Sequence, residues 1–210
     1  MGVSAAVVGV RPRRAPGVGW VLIASGLALI IAGEAPFVPA SLDWLVLFTT
    51  LLVFLGMIPV ARWLADGQPA HDGGTALGAA RGMAGVGIAG MGAVSAAAVV
   101  ATLGLLPVVP AAILDTSARG VVGLWLLVAN AQALGARRFN RALAVVGALA
   151  GLSWLLAALA MWLELAIGAP GSLLTTLETI RHAGGDFFAE LGYLLWALWL
   201  GIWLLLRRKR

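Results

Sequence analysis

Six long apolar blocks, with the basic residues gathered at alternate ends of them, leave this chain few ways to fold. The blocks run at about 18–33, 42–61, 82–106, 119–135, 142–167 and 188–206, and a helix of about 20 apolar residues is what crossing a bilayer requires. The composition agrees: 61% of the 210 residues are hydrophobic and 11% charged, with a mean hydropathy of +1.00, where a soluble domain carries roughly a quarter charged residues. No soluble core absorbs that much apolar surface. The expected fold is all-α: a polytopic integral membrane protein with six transmembrane helices as three hairpins, in one domain over residues 1–210.

Charge then predicts the threading, because Lys and Arg collect on the cytoplasmic side of short loops. Arg11, Arg13 and Arg14 precede the first block, and Arg62 and Arg81 flank the second connection. Arg137, Arg138 and Arg141 lie between blocks four and five, and Arg207, Arg208, Lys209 and Arg210 close the chain. Only Arg119 and Arg181 fall on the other side, so both termini are expected in the cytoplasm and the protein in the cell membrane. Most carboxylates, including Glu34, Asp43, Asp115, Glu164, Glu178, Asp186 and Glu190, take the outer ends. They read as orientation and solvation, or as an acidic outer vestibule that concentrates cations. The first block reads as an anchor, since no Ala-x-Ala cleavage site follows at 32–36.

Two outer loops resemble each other, Pro36-Phe-Val-Pro39-Ala-Ser-Leu-Asp43 and Pro107-Val-Val-Pro110-Ala-Ala-Ile-Leu-Asp115. At the same offset Gly19, Gly26 and Gly33 align with Gly90, Ala97 and Gly104. Either the hairpins are a repeat about an axis along the membrane normal, or Pro and Ala simply favour outer turns.

Small residues predict close packing, which lets helix backbones gain van der Waals contact inside lipid. The third block is densest in them, and Gly85, Ala89, Ala93, Ala97 and Ala101 form one thin strip, with Gly90 beside it. That block is therefore expected to be the central, most buried helix. Gly147 and Gly151 form a GxxxG on the fifth block, read as intramolecular packing. Trp20, Trp44, Trp63, Trp154, Trp162, Trp196, Trp199 and Trp203 read mostly as interfacial anchors, with Trp196, Trp199 and Trp203 sharing a lipid- or partner-facing stripe.

Candidate polar sites are few. Glu34, Glu164 and Glu190 at outer ends are candidates for an ion or substrate path, neutralised by Arg119 and Arg181 if they converge. Asn130 and Gln132, with Ser95, are the groups past which a path through the bundle would run; an interhelical hydrogen bond is the plainer role for Asn130. No Lys, Arg, His or Asp is expected near the bilayer centre, which weighs against ion-coupled transport. Residues 168–187 form the longest outer connection, with an interfacial helix expected near 172–183. Glu178, His182, Asp186 and Glu190 recur every fourth residue there, but Gly184 and Gly185 interrupt the ladder, and no metal site is expected.

Several chemistries are excluded. There is no cysteine for thiolate catalysis or a cluster. Both histidines, His71 and His182, lie in connections, where they cannot serve an intramembrane haem. The one lysine is Lys209, HExxH is missing, and no phosphate-binding Gly-Lys motif occurs. No cofactor is expected. The expected contacts are the bilayer, anionic lipids at the cytoplasmic arginines and a second membrane protein, not nucleic acid.

The segments Arg137-Arg-Phe-Asn-Arg-Ala-Leu-Ala-Val-Val-Gly147-Ala-Leu-Ala-Gly151-Leu-Ser-Trp154 and Gly192-Tyr-Leu-Leu-Trp196 through Gly201-Ile-Trp-Leu-Leu-Leu-Arg207 carry a resemblance. A basic turn before a Gly-rich span and a final Trp/Gly span ending in arginines resemble multi-pass membrane proteins of high-GC bacteria, including the DUF4386-like group. That resemblance implies a membrane bundle and assigns no activity, substrate or catalytic residue. Three readings follow: a non-enzymatic scaffold, accessory or regulatory subunit; a small transporter or channel with an acidic outer mouth; and a lipid-modifying enzyme working through Glu34, Glu164 or Glu190.

The threading is testable on a cysteine-free background. Single cysteines at Gly2 and Gly73 are expected to resist an impermeant thiol reagent in intact cells, while one at Gly171 reacts. The reverse pattern at Gly73 and Gly171 would overturn the orientation.

Overall fold

The computed structural model describes residues 17–33, 43–66, 75–135, 140–167 and 188–207. Its elements are α1 (Val18–Gly33), α2 (Asp43–Gly56), α3 (Ile58–Asp66), α4 (Thr75–Thr102), α5 (Val108–Gly135), α6 (Arg141–Ile167) and α7 (Ala189–Arg207). No strand occurs among the described residues. Five stretches are long and apolar enough to cross a membrane: Leu47–Asp66 through α2 and α3, Gly78–Thr102, Val108–Gly135, Arg141–Ala166 and Ala189–Leu206. The first expected span falls short of that measure, being a helix of 16 residues. Glu34, the loop at 36–42, His71, Arg137, Arg138 and the whole of 168–187, with its expected interfacial helix and Glu178, His182 and Asp186, lie outside the described residues.

The helices pack in chain order and close on themselves. α1 lies on α2, the α2–α3 pair on α4, α4 on α5, α5 on α6, α6 on α7, and α7 returns to α1. The ring exposes large apolar side chains outward, among them Trp20, Phe48, Leu149, Leu159 and Leu195. Its interior is filled: Trp125, Trp196, Tyr193, Leu22, Met57 and Leu200 are all essentially inaccessible.

Local chemistry sets the ends and breaks. Pro59 brings no N–H to the helical ladder, and the second span breaks just before it. There the Met57 amide turns back to the Phe54 carbonyl at 3.2 Å, and the Ala61 amide restarts the ladder on Met57 at 2.9 Å. α4 ends at Thr102 and is closed by Gly104, with φ 65°. The Leu105 amide bonds the Val100 carbonyl and the Gly104 amide that of Ala101, both at 3.0 Å, which is the Schellman closure of a helix. Asn140 caps α6, its Oδ1 accepting from the Ala142 amide at 2.9 Å.

Three expectations are corrected. First, residues 108–115 are not an outer loop, because α5 already begins at Val108. Pro107 supplies the first accepting carbonyl, to the Ala111 amide at 3.1 Å. Pro110 costs nothing in the first turn, where amides have no helical partner anyway. Second, α4 is one member of the ring, not a central rod. Gly85 and Ala89 are exposed, Ala93 is half-buried, and only Ala97 of the four is buried. The seat that matters is Gly87, where a Cβ would strike the Trp125 ring of α5, followed by Gly90, where it would stand 3.0 Å from Val121 Cγ1. The need to house one large ring, rather than the density of small residues, decided which face turned inward. Third, Trp154 and Trp196 are core residues at 2% and 0% exposure, not interfacial anchors.

The aligned glycines also do different work. Gly19 and Gly26 face Leu205 and Leu198 of α7, whereas Gly90 faces α5 and Gly104 closes a turn. Gly123 and Gly151 meet across α5 and α6, each aimed at the other's carbonyl, and contact that close requires glycine on both sides.

Leu at Gly87 and Leu at Gly85 separate the two faces of α4. Gly87→Leu is expected to lower stability by about 1–3 kcal/mol or more through overpacking. Gly85→Leu, with nothing within 4 Å of its Cβ, is expected to leave it unchanged or slightly raised. Thermal unfolding in mild detergent reads both, and equal loss would contradict the assignment of faces.

Candidate functional site: a charged cluster over an aromatic core

Arg119 is the most consequential charged group of the bundle. It lies eleven residues after Val108 and sixteen before Gly135 on α5. Its Nε donates to Asp115 Oδ2 at 2.8 Å, one turn earlier on the same helix. Its Nη1 donates to Glu190 Oε1 of α7 at 3.1 Å. The guanidinium also stands 5.7 Å from the centroid of Phe54 on α2, within range of a cation–π attraction. One side chain thus ties three helices, with the Arg119, Asp115 and Glu190 side chains about three-tenths exposed.

No Lys, Arg, His or Asp was expected near the bilayer centre; Asp115 and Arg119 lie within Val108–Gly135, a helix long and apolar enough to cross a membrane. A 28-residue helix is about 42 Å long, and any roughly 30 Å hydrocarbon layer placed along it includes Arg119. The apolar block read as starting at 119 is continuous from Val108 once Asp115 and Arg119 are counted as an i,i+4 pair that neutralises itself.

Beneath the cluster runs an aromatic column. Phe54 lies 6.0 Å from Trp154 of α6, Trp154 lies 5.4 Å from Tyr193 of α7, and Tyr193 lies 6.1 Å from Trp196, centroid to centroid. The column ends on Asn130. Trp196 Nε1 donates to Asn130 Oδ1 at 2.9 Å, and Asn130 Nδ2 donates to the Leu126 carbonyl at 2.8 Å. Gly147 makes that bond possible, since a Cβ there would collide with Trp196 and would stand 2.6 Å from Asn130 Cγ. Of the residues singled out from sequence, Glu190 and Arg119 come together directly. Asn130, Gly147 and Trp196 also meet, further along the bundle.

Other candidates stand apart. Glu164 is near the end of α6, with Oε1 buried and without a hydrogen bond among the described residues. Gln132 borders a small pocket between α3, α4 and α5, with Leu64, Met83 and Trp125. Ser95 spends its hydroxyl on the Met91 carbonyl of its own helix at 2.9 Å. No group of three or more metal-ligating residues occurs among the described residues. Phe54, Trp125 and Tyr193 were not singled out from the sequence. Their signal was the set of glycines opposite large rings, which becomes readable only when helix neighbours are known. No family model, no curated protein and no solved structure matches the chain.

The geometry predicts an order of effects. Arg119→Leu strands two carboxylates around an apolar side chain, and removing the shared partner of a part-buried pair is expected to cost about 2–4 kcal/mol. Glu190→Gln keeps an acceptor for the guanidinium and leaves Asp115 in place, so about 1 kcal/mol or less is expected. Chemical unfolding in detergent measures both, and a milder effect for Arg119→Leu than for Glu190→Gln would remove Arg119 from its central place.

Proposed function

We propose that the chain is a six-span integral membrane protein, N-in and C-in, that serves as a non-enzymatic accessory or scaffold subunit. It holds another membrane protein against α4. The observation that carries this reading is the outward face of α4. Gly78, Gly82, Gly85, Ala89, Gly92 and Ala96 recur at alternating steps of four and three, and all are exposed. Gly78, Gly82, Gly85 and Gly92 meet nothing within 4 Å. Glycine in a helix interior costs about 1 kcal/mol relative to Ala, and four in one stripe return that only when another backbone packs on them. The occupant that fits is a transmembrane helix, because the stripe runs over 19 residues, about 27 Å, and its one bordering charge, Arg81, stands at one end. The filled core supports the same reading, with Trp125, Trp154 and Trp196 buried at 1%, 2% and 0% exposure.

A second reading has its own observation. Arg81 and Asp66 form an exposed pair at 3.7 Å that suits a membrane boundary. Gly90 of α4 sits against Val121 and Val122 of α5, so Arg119 stands roughly 17 Å further along the axis, near mid-bilayer. Charged groups at that depth accompany transport and ion binding, and the acidic-mouth transporter would place its site there.

The experiment compares wild type with Gly82→Leu/Gly85→Leu in native membranes solubilised in mild detergent. The wild-type chain is expected in a particle well above the 21.5 kDa protomer, with the variant folded but released from it. A particle unchanged in the variant, or cation flux in proteoliposomes abolished by Arg119→Gln, would replace the accessory reading with the second.

A further inference from the structure

We infer that the core holds an internal water site between Ser25 of α1, Trp154 of α6 and Tyr193 of α7. Each of these side chains is at least nine-tenths buried, at 0%, 2% and 1% exposure. The Ser25 Oγ, Trp154 Nε1 and Tyr193 Oη atoms have no hydrogen-bond partner among the described residues. They are neighbours: the Trp154 and Tyr193 rings are 5.4 Å apart, and the Ser25 and Tyr193 hydroxyls lie close to each other without forming a full hydrogen bond. Buried polar groups are rarely left orphaned, and three on neighbouring helices are a usual setting of an ordered water.

An acceptor for that water lies beside them. Pro59 has no N–H, so the Leu55 carbonyl one turn earlier loses its helical donor. Leu55 precedes Gly56, and a Cβ on Gly56 would stand 3.3 Å from Ser25 Oγ. The missing side chain at Gly56 and the small Ser25 leave the room. The site therefore offers three donors, two hydroxyl acceptors and one backbone acceptor, a set that suits the two-donor, two-acceptor chemistry of water. Larger ligands do not fit, because ring centroids 5.4–6.1 Å apart along the column leave no slot for another ring or an acyl chain. A metal ion is disfavoured by the indole N–H and by the lack of a carboxylate among the three.

The position gives the water its significance. Glu190, Tyr193 and Trp196 occur at i, i+3 and i+6 on α7, about 4.5 Å apart along the axis at each step. The water lies between the Arg119 cluster and the Asn130–Trp196 bond and turns two separate polar anchors into one column. It also hydrates the break in the second span. The inference is independent of any docking on α4, since a bundle that binds no partner holds the same three groups.

Tyr193 is the one tyrosine of the chain, so the test needs no assignment. Protein carrying isotope-labelled tyrosine, in lipid nanodiscs, is measured by solid-state NMR for polarisation transfer from water to the Tyr193 ring. A water-to-ring cross-peak that persists in Ser25→Ala is expected, because alanine removes one donor and enlarges the space. Ultraviolet resonance Raman of the same sample is expected to show a hydrogen-bonded tyrosine. No cross-peak in wild type would overturn the inference. So would a hydrogen-bonded signature lost in Ser25→Ala, which would mean a direct Ser25–Tyr193 pair. Tyr193→Phe adds a sign: its melting temperature falls if the hydroxyl holds water and rises if the site is dry.

Discussion

The approach of α5 to α6 at Gly123 and Gly151 governs the rest of the bundle. Each glycine sits against the other's carbonyl, so a Cβ on either would collide with the partner backbone. Lipid supplies no hydrophobic drive between helices, and contact of this kind has to replace it. Once the pair is fixed, Trp162 reaches Ser117 at 3.1 Å toward one end, and Gly147 opens the slot in which Trp196 finds Asn130 toward the other. The α7 register follows from that bond, and it puts Glu190 where Arg119 can take it. A side chain at Gly123 or Gly151 would disturb the tryptophan, the asparagine and the arginine together.

The interior polar groups are used as fasteners. Arg119 joins α5, α7 and α2, Asn130 joins α5 to α7, and Ser117 joins α5 to α6. All three belong to α5, the helix whose neighbours on either side are held by glycine contacts. Desolvating a guanidinium is costly, and two carboxylates with an aromatic face offset it in place. The bundle reaches specificity in this way without a large polar core.

Hydropathy made the helical class legible, because apolar blocks of this length have one use. It was less informative about ends, since an apolar run continues through residues that a cap or a proline terminates. Asp115 was read as the end of an outer loop and Arg119 as the first residue of a block, and only their i,i+4 spacing shows that both belong to one helix. The glycine strip on α4 was visible, but its direction was not. Sequence shows which side chains are small and not which neighbour brings the tryptophan, so Gly85 and Gly87 look equivalent until Trp125 is placed. Glu190 was marked for its position near a helix end, and its pairing with Arg119 required the closure of α7 onto the ring.

The turn at Gly104 bears on how such a chain is put into a membrane. From residue 82 to residue 114 no side chain ionises, and the closing turn satisfies the Val99, Val100 and Ala101 carbonyls from the backbone itself. Moving one charge into the bilayer centre costs about 2.5–3.5 kcal/mol on insertion scales. The α4–α5 tip carries none, so it can cross as a preformed hairpin. Asp115 and Arg119 then follow already paired on one helix, before α7 has been made, and Glu190 meets a guanidinium that is in position when the last helix arrives.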